Sequence, residues 1–309
     1  MQGARPMSES RFWTGFWRLA DPKISLTSVA AVYLGASVAA ADAPFSWLWV
    51  IVLLLALFAI EVAKNAWGDI FDYDSGTDLA VAPEDRTTFS GGKRVMVDGL
   101  LTRNQTWAMA AGFTLAGFVL GAMIVFFREP AALWIGVIGM ILGWSYHGPP
   151  LHLIYRGFGE LDVVICYGPL ITLAAYLVQT HELSWQVFWL SIPLGLVIAA
   201  FLWVNQFPDY RADRDHGKRN LVVRLGKHKA SRILPLIYLA AFAILTAAPL
   251  TGLPATVWLG WLAAIPAAYA SVEVWRDPET FYRSKPVQPA ALITFLAYSA
   301  GAGTGVLIG

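Results

Sequence analysis

The chain has 309 residues, 57% of them hydrophobic and only 14% charged, with a mean hydropathy of +0.56. Soluble domains carry about 25% charged residues, so this composition excludes an ordinary soluble protein and points to an integral membrane one. A net charge of +1 gives no support for nucleic-acid binding, and the single cysteine, Cys166, excludes an intrachain disulfide.

The N-terminal segment, residues 1–23, holds Arg5, Arg11, Arg18 and Lys23 but no apolar core long enough for a signal peptide. Trp13, Phe16 and Trp17 fall at i, i+3 and i+4, with Arg11 and Arg18 opposite. That spacing predicts a short helix on the membrane surface; the alternative is a leader without fixed structure. Nine apolar segments follow, over 24–41, 46–67, 105–127, 130–147, 163–180, 185–207, 231–250, 255–272 and 288–308. Each is close to the roughly 20 residues that cross a bilayer as a helix. The expected fold is all-α: nine transmembrane helices in one bundle over residues 24–309, capped by charged cytoplasmic loops. Of the 22 Lys and Arg, only Arg128 lies on the side away from the N-terminal segment and the long connections. The positive-inside rule therefore puts the N-terminus and those long loops in the cytoplasm and the C-terminus outside.

Acids cluster where two of these spans end. The run from Asn65 to Asp78 closes the second span and holds Asp69, Asp72, Asp74 and Asp78. Carboxylates at a membrane boundary are costly unless a counter-charge, a metal or water compensates them. Asn65, Asp69 and Asp72 stand at i, i+4 and i+7 and share a helix face, with Glu61 one turn earlier on it. Asp74 is off that face and reads as solvated. Asp78, beyond Gly76 where the helix should end, can reach back. The run from Asn205 to Asp215 closes the sixth span and places Asn205, Asp209 and Asp213 at i, i+4 and i+8, although Pro208 is expected to loosen the helix ahead of Asp209. Oxygen-only ligands select a hard cation, Mg²⁺ where phosphates complete its shell. The stretch Gly217–Gly226 brings Lys218, Arg219 and Arg224 beside the acids, either as diphosphate ligands or as positive-inside anchors. Both runs open on Asn-x-x-x-Asp and close spans four apart, a weak internal repeat that two like-oriented bundle halves would bring together. A solvated loop with helix caps would need one acid per helix and not a cluster.

On these residues the chain resembles the UbiA superfamily of intramembrane aromatic prenyltransferases, and within it the 1,4-dihydroxy-2-naphthoate prenyltransferase branch of menaquinone biosynthesis. The likeness covers nearly the whole chain. It rests on Asp69-Ile70-Phe71-Asp72-Tyr73, Gly76-Thr77-Asp78, Ser90-Gly91-Gly92, Tyr155-Arg156-Gly157-Phe158-Gly159-Glu160 and Gly217-Lys218-Arg219. Two positions depart from it: Gly68 stands where the family often has an Asn before the first metal aspartate, and Gln206 where the branch often has a second Asn. The metal aspartates are intact, so the departures bear on the acceptor.

The resemblance implies a prenyltransferase in which Asp69 and Asp72 hold one Mg²⁺ and Asp209 and Asp213 a second, with Asp78 as a further ligand and Asn65 and Asn205 beside them. Lys93, Arg94, Arg156, Lys218, Arg219 and Arg224 are the candidates for clamping the isoprenyl diphosphate. Ionisation would yield an allyl cation that an aromatic acceptor attacks; for a dihydroxynaphthoate the prenyl chain replaces the carboxylate. Tyr146 either faces that cation or anchors the fourth span at the interface. The implied partners are a prenyl diphosphate, an aromatic acceptor and the lipid bilayer, with no nucleic acid, and the implied location is a bacterial inner membrane. The five histidines lack the clustered spacing of a zinc site and are expected in surface or structural roles. Two alternatives stand beside this reading. One is the same chemistry on a hydroxybenzoate, a homogentisate or a tetrapyrrole. The other is a cation-binding transporter, which would want its acids near the midplane of the spans.

Overall fold

Long runs of apolar side chains with few breakers fold here as helices whose backbone groups are satisfied internally, the condition for crossing lipid. The computed structural model describes residues 9–309, and within them only helices, turns and loops. In chain order the helices are α1 (Glu9–Ala20), α2 (Pro22–Asp42), α3 (Trp47–Asp74), α4 (Thr77–Ala80), α5 (Arg103–Phe127), α6 (Ala132–His147), α7 (Leu153–Arg156), α8 (Gly159–Thr180), α9 (Trp185–Asp215), α10 (Leu221–Leu225), α11 (Lys227–Thr251), α12 (Ala255–Arg276), α13 (Phe281–Ser284) and α14 (Val287–Ile308).

Among the described residues, eight helical stretches are long and apolar enough to cross a membrane. The sixteen-residue α6 is shorter and completes the nine expected spans. Local signals set several boundaries. Thr102 and Gln105 cap each other's backbone N–H groups at the start of α5, and Ser184 accepts from Val187 N–H at the start of α9. Gly76, with φ at +84°, lets the chain turn sharply after α3. Within α8, Pro169 sits in a π-helical stretch, Cys166–Leu170.

The helix α9 is the post around which the second half packs. Leu190, Leu194, Val197, Val204 and Phe207 on it are fully buried, against α8, α11 and α14. The first half is built on α3 lying along α5, with α6 beside them. At one end of the bundle, Arg128 donates to the Val178 and Gln179 carbonyls at 2.7 Å each, and His181 meets Glu129 at 2.8 Å. Both acid runs lie at the other end, on the last turns of α3 and α9.

Two expectations need correction. Pro208 does not loosen α9, which runs unbroken to Asp215; buried packing on both sides of the proline holds the helix across the lost N–H. The N-terminal helix does not simply lie on the membrane either. Its apolar face is divided: Leu19 and Ala20 are fully buried and Phe16 packs on Phe113 at 5.9 Å, while Trp13 and Trp17 stay exposed. Arg5 and the rest of the first eight positions lie outside the described residues.

Candidate active site

The unbroken α3 and α9 each carry a helical stripe of acids to the same end of the bundle, and Lys218 sits between them. Its Nζ donates to Asp72 Oδ2 at 2.8 Å and lies 4.0 Å from Asp213 Oδ1. Burial works against the charge of Lys218, yet Asp72 and Asp213 outweigh it and hold the amine well above the usual lysine range. Tyr155 donates from its hydroxyl to the other Asp72 oxygen at 2.8 Å, and Asn220 donates to Asp213 Oδ2 at 2.7 Å. The two acid runs, 140 residues apart, therefore meet across one ammonium group.

Asp69 and Asp209 are less satisfied. Asp69 is only 4% exposed, and both its oxygens face the backbone of Arg94, Val95 and Met96 without a close hydrogen bond. Asp209 Oδ1 is likewise buried and unpartnered. Asp78 closes the group, 3% exposed and tucked against Gly92, whose φ of +74° and missing Cβ leave it room. Burial, then the charges of Asp72 and Asp69, push the Asp78 carboxyl up to about 8. Buried carboxylate oxygens without donors, arranged as an all-oxygen set, fit a hard divalent cation. Among the described residues no three His, Cys, Asp or Glu side chains come close enough to cage a metal alone. A cation held there would need water and substrate phosphate to complete its shell, as Mg²⁺ commonly does beside one or two carboxylates.

The expected basic clamp is narrower than the sequence suggests. Lys93 pairs with Asp21 at the start of α2, and burial lowers its pKa against that pairing. Arg94 donates to the Asp78 carbonyl and lies 3.5 Å from Asp98, so it braces the loop. Arg156, Arg219 and Arg224 are exposed, and Arg224 Nε donates to the Arg219 carbonyl at 2.8 Å. Of the six cations, only Lys218 stands among the acids. Asn65 donates to the Leu19 carbonyl at 2.9 Å, tying α3 to the end of α1. Asn205 accepts from Gln288 Nε2 at 2.9 Å, tying α9 to α14. Asp74 is exposed and paired with Arg103 at 2.6 Å, as a solvated acid off the common face should be.

Below the acids lies a cavity of about 180 Å³, lined by Phe89, Tyr146, Tyr167, Ile198 and Phe201 among others, and continuous with Asp209, Asp213 and Lys218. Tyr146 is buried on this cavity, not at the interface. Gln206 also lines it; its amide donates to Glu160 Oε1 at 2.8 Å, and the same oxygen accepts from Leu221 N–H at 3.0 Å. Glu160, in the first turn of α8, thus holds the second acid run in place.

Two cavity residues escaped the sequence reading. His147 was expected in a surface or structural role, but its ring lines the cavity with Nε2 3.9 Å from Asp72 Oδ2. It occupies the space beside Gly68, where a Cβ would stand 2.9 Å from His147 Cε1. The missing side chain at 68 is thus the space that the imidazole fills. Lys64, inside the apolar part of α3, also lines the cavity; a charge within a spanning helix was the signal that could have found it.

Comparison with known proteins follows this geometry. The model of the UbiA prenyltransferase family matches residues 28–299. The chain is 33% identical over 195 residues to a 2-carboxy-1,4-naphthoquinone phytyltransferase of Synechocystis, covering 62% of this chain and 60% of that enzyme's length. It is 26% identical over 243 residues to a 1,4-dihydroxy-2-naphthoate octaprenyltransferase of Bacillus subtilis, covering 79% and 76%. In fold it is similar to a UbiA homologue of Aeropyrum pernix, with a TM-score of 0.69 at 20% identity over 92% of this chain and 97% of that one. A homologue from Archaeoglobus fulgidus, solved with GPP and Mg²⁺, gives a TM-score of 0.58 at 13% identity over 96% and 100%.

Proposed function

Since the chain belongs to the UbiA prenyltransferase family, we propose that it transfers an isoprenyl chain from a prenyl diphosphate to 1,4-dihydroxy-2-naphthoate or a closely similar quinone precursor, with Mg²⁺ at the aspartates. The observation that carries this reading is the meeting of the α3 and α9 acids on Lys218 at the mouth of an aromatic-lined cavity. Relatives named for naphthoate substrates support the acceptor class, and a homologue solved with GPP and Mg²⁺ supports the donor and the ion.

Asp69 and Asp72 on one side, and Asp209 and Asp213 on the other, would hold the metal, with Asp78 between them. The chemistry Mg²⁺ supplies when bound is neutralisation of charge on the departing diphosphate. Lys218 adds a fixed cation at the same place and orients the leaving group. The allylic C–O bond breaks with its electron pair leaving on the diphosphate. Tyr146, Phe89 and Phe201 exclude water from the resulting carbon. The acceptor carbon bearing the carboxylate supplies the pair for the new C–C bond, and CO₂ departs, returning its bonding pair to the ring. The acid end of the bundle faces the cytoplasm, following the distribution of Lys and Arg.

The test uses purified protein in detergent with a panel of prenyl diphosphates, Mg²⁺ and several aromatic acceptors. The expected result is a prenylated naphthalenediol formed in step with diphosphate, abolished by EDTA. Asp209→Asn should lower turnover by roughly 10²–10³-fold with the melting temperature kept, whereas Asp72→Asn, which also takes the partner charge from Lys218, should lower both. Turnover only with a hydroxybenzoate would move the acceptor, and no diphosphate release with any acceptor would overturn the reading.

A further inference from the structure

Lys64 is a cation that the two acid pairs do not use. It stands on α3 eight residues before Asp72, so it lies about 12 Å down the helix axis from that carboxylate, at ~1.5 Å per residue. Its Nζ faces the cavity 3.4 Å from the Tyr167 hydroxyl and 5.7 Å from the ring centres of both Tyr146 and Tyr167. Among the described residues no carboxylate lies within 4.0 Å of it. Two acids feel its charge, Glu61 one turn earlier on α3 and Asp162 on α8, but neither comes within ion-pair distance, and Glu61 accepts instead from the Ser28 hydroxyl on α2. A lysine inside a spanning helix, lining a cavity with tyrosines as its near partners and no close ion pair, keeps ammonium donors to offer an incoming anion.

We infer that Lys64 binds the carboxylate of the aromatic acceptor, so that the enzyme selects an aromatic acid over the same ring without its acid group; this rests on the prenyl-transfer reading above. The donor is the other source of negative charge, and two observations place it elsewhere. The diphosphate end already has Lys218 and the aspartates, and Lys64 is two helical turns farther along the cavity. Its surroundings also suit an aromatic acid. The Tyr146 and Tyr167 faces flank the ammonium, so a ring whose carboxylate meets Lys64 lies against them. Anchoring the carboxylate positions the ring carbon that bears it. Lys64 is therefore a specificity-determining residue for the acceptor.

Two stable probes separate the carboxylate from the ring: 1-hydroxy-2-naphthoate and 1-naphthol. Their binding to the full chain in detergent is read by quenching of tryptophan fluorescence, for the wild type, Lys64→Met and Lys64→Arg. Loss of a charge-assisted pair should weaken the naphthoate by roughly ten- to a hundredfold in Lys64→Met, with naphthol binding unchanged and Lys64→Arg close to wild type. Equal naphthoate binding by wild type and Lys64→Met, or equal losses for both probes, would overturn the proposal. In turnover, Lys64→Met should raise KM for the acceptor acid and leave that for the prenyl diphosphate unaltered; a rise in the donor KM instead would assign Lys64 to the diphosphate and sink the acceptor role. A wild type that binds naphthoate through Lys64 but transfers no prenyl group would leave the anchor standing and refute the prenyl-transfer reading alone.

Discussion

At position 68 the room that a side chain would take is filled by an imidazole from α6, with His147 Cε1 2.9 Å from where a Cβ would stand. Any larger residue there must displace the ring, whose Nε2 lies 3.9 Å from Asp72 Oδ2, one turn on along α3. Gly68→Asn should therefore lower the melting temperature and slow turnover, and Gly68→Asn combined with His147→Ala should recover much of both. Overpacking of this kind costs about 1–3 kcal/mol, and the double-mutant cycle should return a coupling of that order. Additive losses in the cycle would mean that the two residues do not share the space. The sequence shows the glycine but not its partner, because the two positions are 79 residues apart and meet only through the α3–α6 packing.

Between α4 and α5 the chain forms a cap over the acids, and it is pinned across the bundle. Asp85 accepts from the Tyr282 hydroxyl at 2.8 Å and from Arg283 at 2.7 Å, joining the loop after α4 to α13. Burial alone would raise the Asp85 carboxyl, but the hydrogen bonds from Arg283 and Tyr282 outweigh it and hold its pKa below the usual carboxylate range. A depressed folded value means that this stabilisation is present above the ordinary carboxylate pKa and is lost as pH falls through the folded one. Hydrogen exchange of residues 83–94 should therefore accelerate on acidification, and Asp85→Asn should show fast exchange already at neutral pH. A cap whose exchange is the same in both proteins would refute the pinning. Lys93 and Arg94 belong to this cap, which explains why basic residues that read as diphosphate ligands are spent on Asp21 and on the Asp78 carbonyl. Composition marks a loop as basic; only the folded loop shows which carboxylates its cations reach.

On the scale of the whole molecule, the spans, their order and the sharing of one bundle end by both acid runs were legible from hydropathy, since the bilayer imposes that pattern residue by residue. The pairing of Asp69 with Asp72, and of Asp209 with Asp213, on their helices was legible too, because helical spacing alone puts each pair on one face. Lys64 and His147 were not, since what distinguishes them is the cavity they share. Orientation gives a direct check: a reporter that is active only outside the cytoplasm should be active when fused to the C-terminus after Gly309 and silent when inserted after Asp98. The reverse pattern would invert the site with respect to the membrane.

The amide of Gln288 carries a consequence for how the protein is made. It bonds Asn205 Oδ1 at 2.9 Å and Ser90 Oγ at 3.3 Å, so one side chain on α14 links the post of the second half to the cap. A helix made after both acid runs thus supplies the bond that joins the second of them to the cap. A nascent chain already holds every aspartate of the two acid runs once α9 has been inserted, but it lacks this clasp until α14 has been made. Pinning of the cap to α9 is thereby timed to the synthesis of α14, and a ribosome-stalled fragment ending before α14 would sit in the membrane with Asn205 and Ser90 unjoined.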